Sequence, residues 1–199
     1  MSVESIAEQK TLPAALTTRW LSLGPDLKGS TTSRCIVGLA LASLYGLALG
    51  TRTGGLDLLW HAFGVWGGLA LSALVTAPSL LVFLALFDVP LEARQVFDSM
   101  SQGLACAGSV LAGIAPAMTL LVVTVDSISA VSVLAWGGLF LGGSLGLAKA
   151  LAALHRPLEG MRPRIRGRFV LAATGFALLT AALACRAWLG LLPLMGGAS

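Results

Sequence analysis

The chain has 199 residues, of which 56% are hydrophobic and only 11% charged, with a mean hydropathy of +0.88. A soluble domain of this size needs a polar surface, and at roughly 25% charged residues for ordinary globular proteins this composition falls far short of one. The formal charge of +4 sits in short segments beside apolar runs, which argues for membrane orientation and against a nucleic-acid surface.

In chain order, residues 1–33 form a polar lead with Pro13, Gly24, Pro25 and the run Gly29 to Ser33. Leu16, Trp20 and Leu23 recur at i, i+4 and i+7 beside Arg19, the spacing of a short helix lying along a membrane surface with Trp20 at headgroup level. An amphipathic helix packed on the protein's own loops is the alternative. Glu4, Glu8 and Lys10 stand where a secretory signal needs a basic start, so the first apolar run is expected to be an uncleaved span.

The apolar runs predict an all-α membrane protein, a bundle of about five transmembrane helices over roughly 34–50, 57–87, 100–125, 128–154 and 169–194. The first is short for the ~30 Å hydrocarbon core, and residues from Thr31 to a snorkelling Arg34 supply the missing turn. The second and third contain Pro78 and Pro116, expected to break or kink their helices by removing one backbone donor each. Asp88 to Asp98 reads as a charged connector, Asp126-Ser127 as a tight turn, and 155–168 as a basic loop.

The basic residues fix the sense of the spans. Lys10, Arg19, Lys28, Arg34, Arg94, Lys149, Arg156, Arg162, Arg164, Arg166 and Arg168 fall on one side of this layout, while the other side holds Arg52. Positively charged loops stay in the cytoplasm, so the N-terminus is expected inside and the C-terminus outside. Orienting the helices is sufficient cause for the Arg156 to Arg168 cluster, and partner binding there is an additional role.

Candidate sites are few. Gly138, Gly142 and Gly146 recur every four residues and make a flat strip for close helix packing, within the bundle or between two copies. Gly142, Ser144 and Gly146 also match the G-x-S-x-G pattern of a hydrolase elbow, but within a glycine-rich helix rather than a strand-to-helix turn. Trp60, His61, Arg186 and Trp188 lie near span ends and read as interfacial anchors, like Trp20; haem or chlorophyll ligation by His61 is the sharper alternative. Cys35, Cys106 and Cys185 lie in separate apolar runs and indicate neither a metal site nor a disulfide framework. No catalytic residue, cofactor or metal is expected.

Leu44-Tyr45-Gly46 with Gly50 and Gly54-Gly55, then Pro78-Ser79-Leu80, then Ala115-Pro116, resembles a family of uncharacterised bacterial multi-span inner-membrane proteins. The likeness covers Leu44 to Val125. At the C-terminus the family's Trp followed by Leu-Arg-Pro-Phe is replaced by Trp188-Leu189-Gly190-Leu191-Leu192-Pro193, and Gly64-Val65-Trp66 stands where a Lys-x-Pro is common. The resemblance implies a multi-pass protein of the bacterial inner membrane and carries no chemistry. The expected function is a non-enzymatic membrane subunit or scaffold whose partners are the lipid bilayer and a membrane protein or second copy. The alternative is a small transporter or pore using the breaks at Pro78 and Pro116.

Overall fold

The computed structural model describes residues 30–51, 55–158 and 163–195, with side-chain surroundings at all of these but 57, 128, 181 and 183–195. Its order is α1 (Thr31–Gly50), α2 (Gly55–Leu86), α3 (Ala93–Thr124), α4 (Ile128–His155), a 3-10 turn (Arg156–Leu158) and α5 (Pro163–Met195), with no strand among the described residues. Four helical stretches, Thr31–Gly50, Leu58–Leu86, Ala93–Thr124 and Ser129–Leu158, are long and apolar enough to cross a membrane.

Local chemistry sets the helix ends. Ser30 caps α1 by accepting the Ser33 N–H at 3.3 Å, and Ser127 caps α4 by accepting the Ala130 N–H at 3.4 Å. The end of α2 is a left-handed cap: Asp88 has φ +51°, its N–H reaches the Ala85 carbonyl, and the Val89 N–H reaches back to the Leu84 carbonyl. That 6→1 and 5→2 pair satisfies two terminal carbonyls, and Val89 and Leu84 join the same buried cluster.

Three expectations need correction. The connector after α2 ends at Glu92 rather than Asp98, because Glu92 and Gln95 form a reciprocal capping box that starts α3 seven residues earlier than the span expected from 100. The stretch 155–168 is not all loop: α4 runs to His155, the 3-10 turn follows, and α5 begins at Pro163, where a missing N–H costs nothing in a first turn. Neither Pro78 nor Pro116 interrupts its helix. A proline removes only one rung, and a hydroxyl within the following turn adds a bond beside each, Ser79 Oγ, the next residue after Pro78, to the Val75 carbonyl at 2.8 Å and Thr119 Oγ1, three residues after Pro116, to the Ala115 carbonyl at 3.0 Å.

Within the bundle α3 packs most extensively on α1 and α4, and α1 also packs on α2; α2 makes lighter contacts with α3 and α5. The first three of these seams are made by glycine. A Cβ on Gly108 of α3 would run into the Gly38 carbonyl of α1, one on Gly46 would lie 2.7 Å from Ala62 Cα of α2, and one on Gly103 would lie 2.6 Å from the Gly146 carbonyl of α4. Backbones therefore touch directly, which is how helices gain dispersion energy in lipid, where apolar side chains have no water to escape. Large apolar side chains such as Trp60, Leu74, Val82, Leu120 and Phe140 point outward and exposed, a girdle suited to acyl chains.

Candidate functional site at the basic end of the bundle

The start of α1, the end of α2, the start of α3, the end of α4 and the start of α5 meet at one end of the bundle. Asp98, in the second turn of α3, is the polar hub there. Its Oδ1 accepts from Arg34 Nη1 at 2.7 Å and from Thr31 Oγ1 at 3.2 Å, and its Oδ2 accepts from Gln102 Nε2 at 3.1 Å. The Arg34 side chain is 20% exposed and that of Asp98 41%, so this pair is partly shielded and staples the first turn of α1 to α3. A second, looser ion pair, Arg168 Nη1 to Asp88 Oδ2 at 3.6 Å, ties α5 to the end of α2.

Lys149 stands apart from the other cations. It lies on α4 and is only 6% exposed, while Arg94, Arg156, Arg164, Arg166 and Arg168 are all exposed. Counting it with the topology-setting residues hides that it is interior. The alanine at 150 and glycine at 146 on either side of it, both seated on α3 through Gly103, are the only sequence hint that this turn of α4 is buried.

The predicted basic residues are brought together in part. Arg156 sits in the 3-10 turn; Arg164, Arg166 and Arg168 lie on the first two turns of α5; and Arg162 falls outside the described residues. The His155 and Phe169 rings, 5.7 Å apart, hold the two segments together. Beneath them Leu154, Leu158, Phe169 and Phe176 pack with Leu80, Leu84, Val89 and Val96, and Phe83 meets Phe176 edge-on at 5.9 Å.

The glycine strip on α4 faces inward. A Cβ on Gly142 would meet Leu111 Cγ at 2.9 Å, one on Gly146 would meet the Gly103 carbonyl at 2.7 Å, and one on Gly138 would run into the Tyr45 hydroxyl. Tyr45 is fully buried and donates to the Ala135 carbonyl of α4 at 2.8 Å. Gly138 therefore makes the space that lets the one tyrosine of the chain cross from α1 to α4. Sequence reasoning singles out Gly138 but not its partner, since Tyr45 lies on α1, far away along the chain.

The remaining candidates do not converge. Pro116 lines an apolar groove of about 410 Å³ with Leu44, Ala48, Leu58, Ala112 and Thr119, whereas Pro78 lies on an exposed face of α2. Trp60 and His61 are exposed in the second turn of α2. Ser144 is exposed and donates to the Leu141 carbonyl at 3.0 Å, with His155 about three turns away along the same helix. No group of His, Cys, Asp or Glu among the described residues could hold a metal ion. Trp20 lies outside the described residues, as do the side chains of Arg186 and Trp188.

No protein-family model, curated protein or solved structure matches the chain. The resemblance noted above rests on its motifs alone, and packing accounts for their core: Tyr45 reaches α4, while Gly46 and Gly50 let α1 touch the backbone of α2.

Proposed function

We propose that this protein is a non-enzymatic subunit or scaffold of a bacterial inner-membrane complex, with α5 as a fifth span, the N-terminus in the cytoplasm and the C-terminus outside. The observation that carries this reading is how the polar and small residues are used. The Asp98 hub, the Tyr45 hydroxyl and the glycine strips are engaged in joining helix to helix, while exposed arginines collect at one end. That is the arrangement of a packed, oriented bundle whose outward faces meet lipid and other proteins.

The one-sided distribution of Lys and Arg supports placing the basic end in the cytoplasm, and the length of α5, 33 residues, suffices for a span. Purification in mild detergent tests the assignment: a partner protein in fixed ratio is expected, and it should be lost when Arg164, Arg166 and Arg168 are made neutral. Reporter fusions test the topology, and a C-terminus found in the cytoplasm defeats the five-span layout.

The groove beside Pro116 favours a second reading, a small transporter or pore. Substrate-dependent flux in reconstituted vesicles, abolished by Ala112→Phe, would establish it over the first.

A further inference from the structure

The first turns of α5 carry a pattern that orientation alone does not require. Arg164, Arg168, Leu171, Gly175 and Leu178 follow one another at i, i+4, i+7, i+11 and i+14, so they share one face of the helix. Both arginines, Leu171 and Leu178 are exposed, and a Cβ on Gly175 would have only Phe83 near it, at 3.6 Å. The stripe runs from two cations at the end of the bundle to the exposed Leu171 and Leu178 along its side, with the half-buried Gly175 between them bordering Phe83 of α2. His155 packed on Phe169 brings the exposed Arg156 to the same corner.

Among the described residues, charge in this corner is incompletely matched. Asp88 takes Arg168 only at 3.6 Å and is itself 81% exposed, and Arg156 and Arg164 make no ion pair with any described residue. A guanidinium pair above a smooth apolar wall complements a molecule with a phosphate at one end and hydrocarbon at the other. From this complementarity we infer that the Arg164 and Arg168 face of α5, with Arg156 beside it, is a binding site for an anionic phospholipid. The phosphate lies between the guanidiniums and an acyl chain lies along Leu171, Gly175 and Leu178. An acidic protein segment would satisfy the arginines but has no use for the apolar continuation of the stripe.

This inference rests on the reading of the protein as membrane-embedded, though not on its orientation. The test uses the full chain in mild detergent, titrated with dioleoyl phosphatidylglycerol or dioleoyl phosphatidylcholine, with bound lipid counted by native mass spectrometry. Phosphatidylglycerol is expected to bind roughly 25-fold more tightly, since each of the two surface arginines is worth about a factor of five toward an anionic lipid. Arg164→Gln with Arg168→Gln should lower that affinity roughly 25-fold on the same scale and leave phosphatidylcholine unchanged. The double lysine variant should retain most of the preference. An unchanged melting temperature of the glutamine variant without added lipid shows that the fold survives.

Equal binding of the two lipids by the unaltered chain overturns the site, as does a preference that persists in the glutamine variant. Equal lipid binding together with an acidic protein captured by the same arginines replaces it with a protein-docking face. Because the titration is read in detergent, a C-terminus found in the cytoplasm would defeat the proposed topology and leave this result standing.

Discussion

The two halves of the bundle are held by opposite means. Where α1, α3 and α4 meet, around Ala42, Tyr45, Leu111 and Ala115, most residues at the seams are glycine or alanine and backbones touch. In the corner where α2 and α5 join the ends of α3 and α4, large side chains interlock, with Leu80, Leu84, Leu154, Leu158, Phe169 and Phe176 filling the space. In lipid a large apolar side chain gains little by leaving one hydrocarbon surface for another, so long parallel seams depend on how closely backbones approach. Near the polar end, where water and charged groups are at hand, filling space with Leu and Phe again excludes water.

The largest test of this contrast is overpacking of the seam. Gly108→Leu would drive a side chain into the Gly38 backbone, which cannot yield without separating α1 from α3, and a loss of about 3 kcal/mol or more is expected in detergent unfolding. The same change at Gly64 or Gly68, whose Cβ positions are open, should leave the unfolding curve in place. Comparable losses at all three positions would break the distinction.

Phe176→Ala probes the other half. It deletes a buried ring and its edge-on contact with Phe83, so about 3 kcal/mol should be lost, with detachment of α5 read as faster proteolysis near 156–163 while α1, α3 and α4 stay assembled. Simultaneous loss of both halves would mean that they fold as one unit. Arg34→Ala leaves a partly shielded Asp98 with Thr31 and Gln102 as its partners among the described residues, at a cost of about 1 kcal/mol, and Asp98→Asn should cost a similar amount.

Smallest is the Tyr45 hydroxyl. Tyr45→Phe should cost about 0.6 kcal/mol, the usual worth of an interhelical hydrogen bond in a membrane protein. Its value lies in coupling: Gly138→Ala should be less damaging in the Tyr45→Phe background, because the hydroxyl is what an added methyl would strike first. Additive losses in the double mutant would show that the glycine serves some other contact.

Several of these features were legible in the chain. The apolar runs place the helices because a backbone in lipid has to satisfy its own hydrogen bonds, and the four-residue spacing of Gly138, Gly142 and Gly146 marks a close-packing face wherever the partner is. The early start of α3 was also legible in Glu92 and Gln95, three apart as a capping box requires, but the charges of that segment favour reading it as a connector. Pro163 likewise announces the start of α5 within what looks like a basic loop. Read as helix breaks, the prolines mislead in the other direction, since a helix supported by neighbours continues past one missing rung.

What the sequence determined by itself is therefore what acts locally or through composition: an all-helical, lipid-suited chain, the places where helices start and stop, and a charge bias with a definite sign. The tertiary structure decided which surfaces meet. Arg34 finds Asp98 across 64 residues, Tyr45 finds Ala135 across 90, and Lys149, one more cation in the count, turns out to be interior. The reason is physical: helix formation and membrane preference are properties of each segment, whereas pairing depends on the shapes of two surfaces brought together, and a run of Leu, Ala and Gly reads the same on either face until a partner selects one.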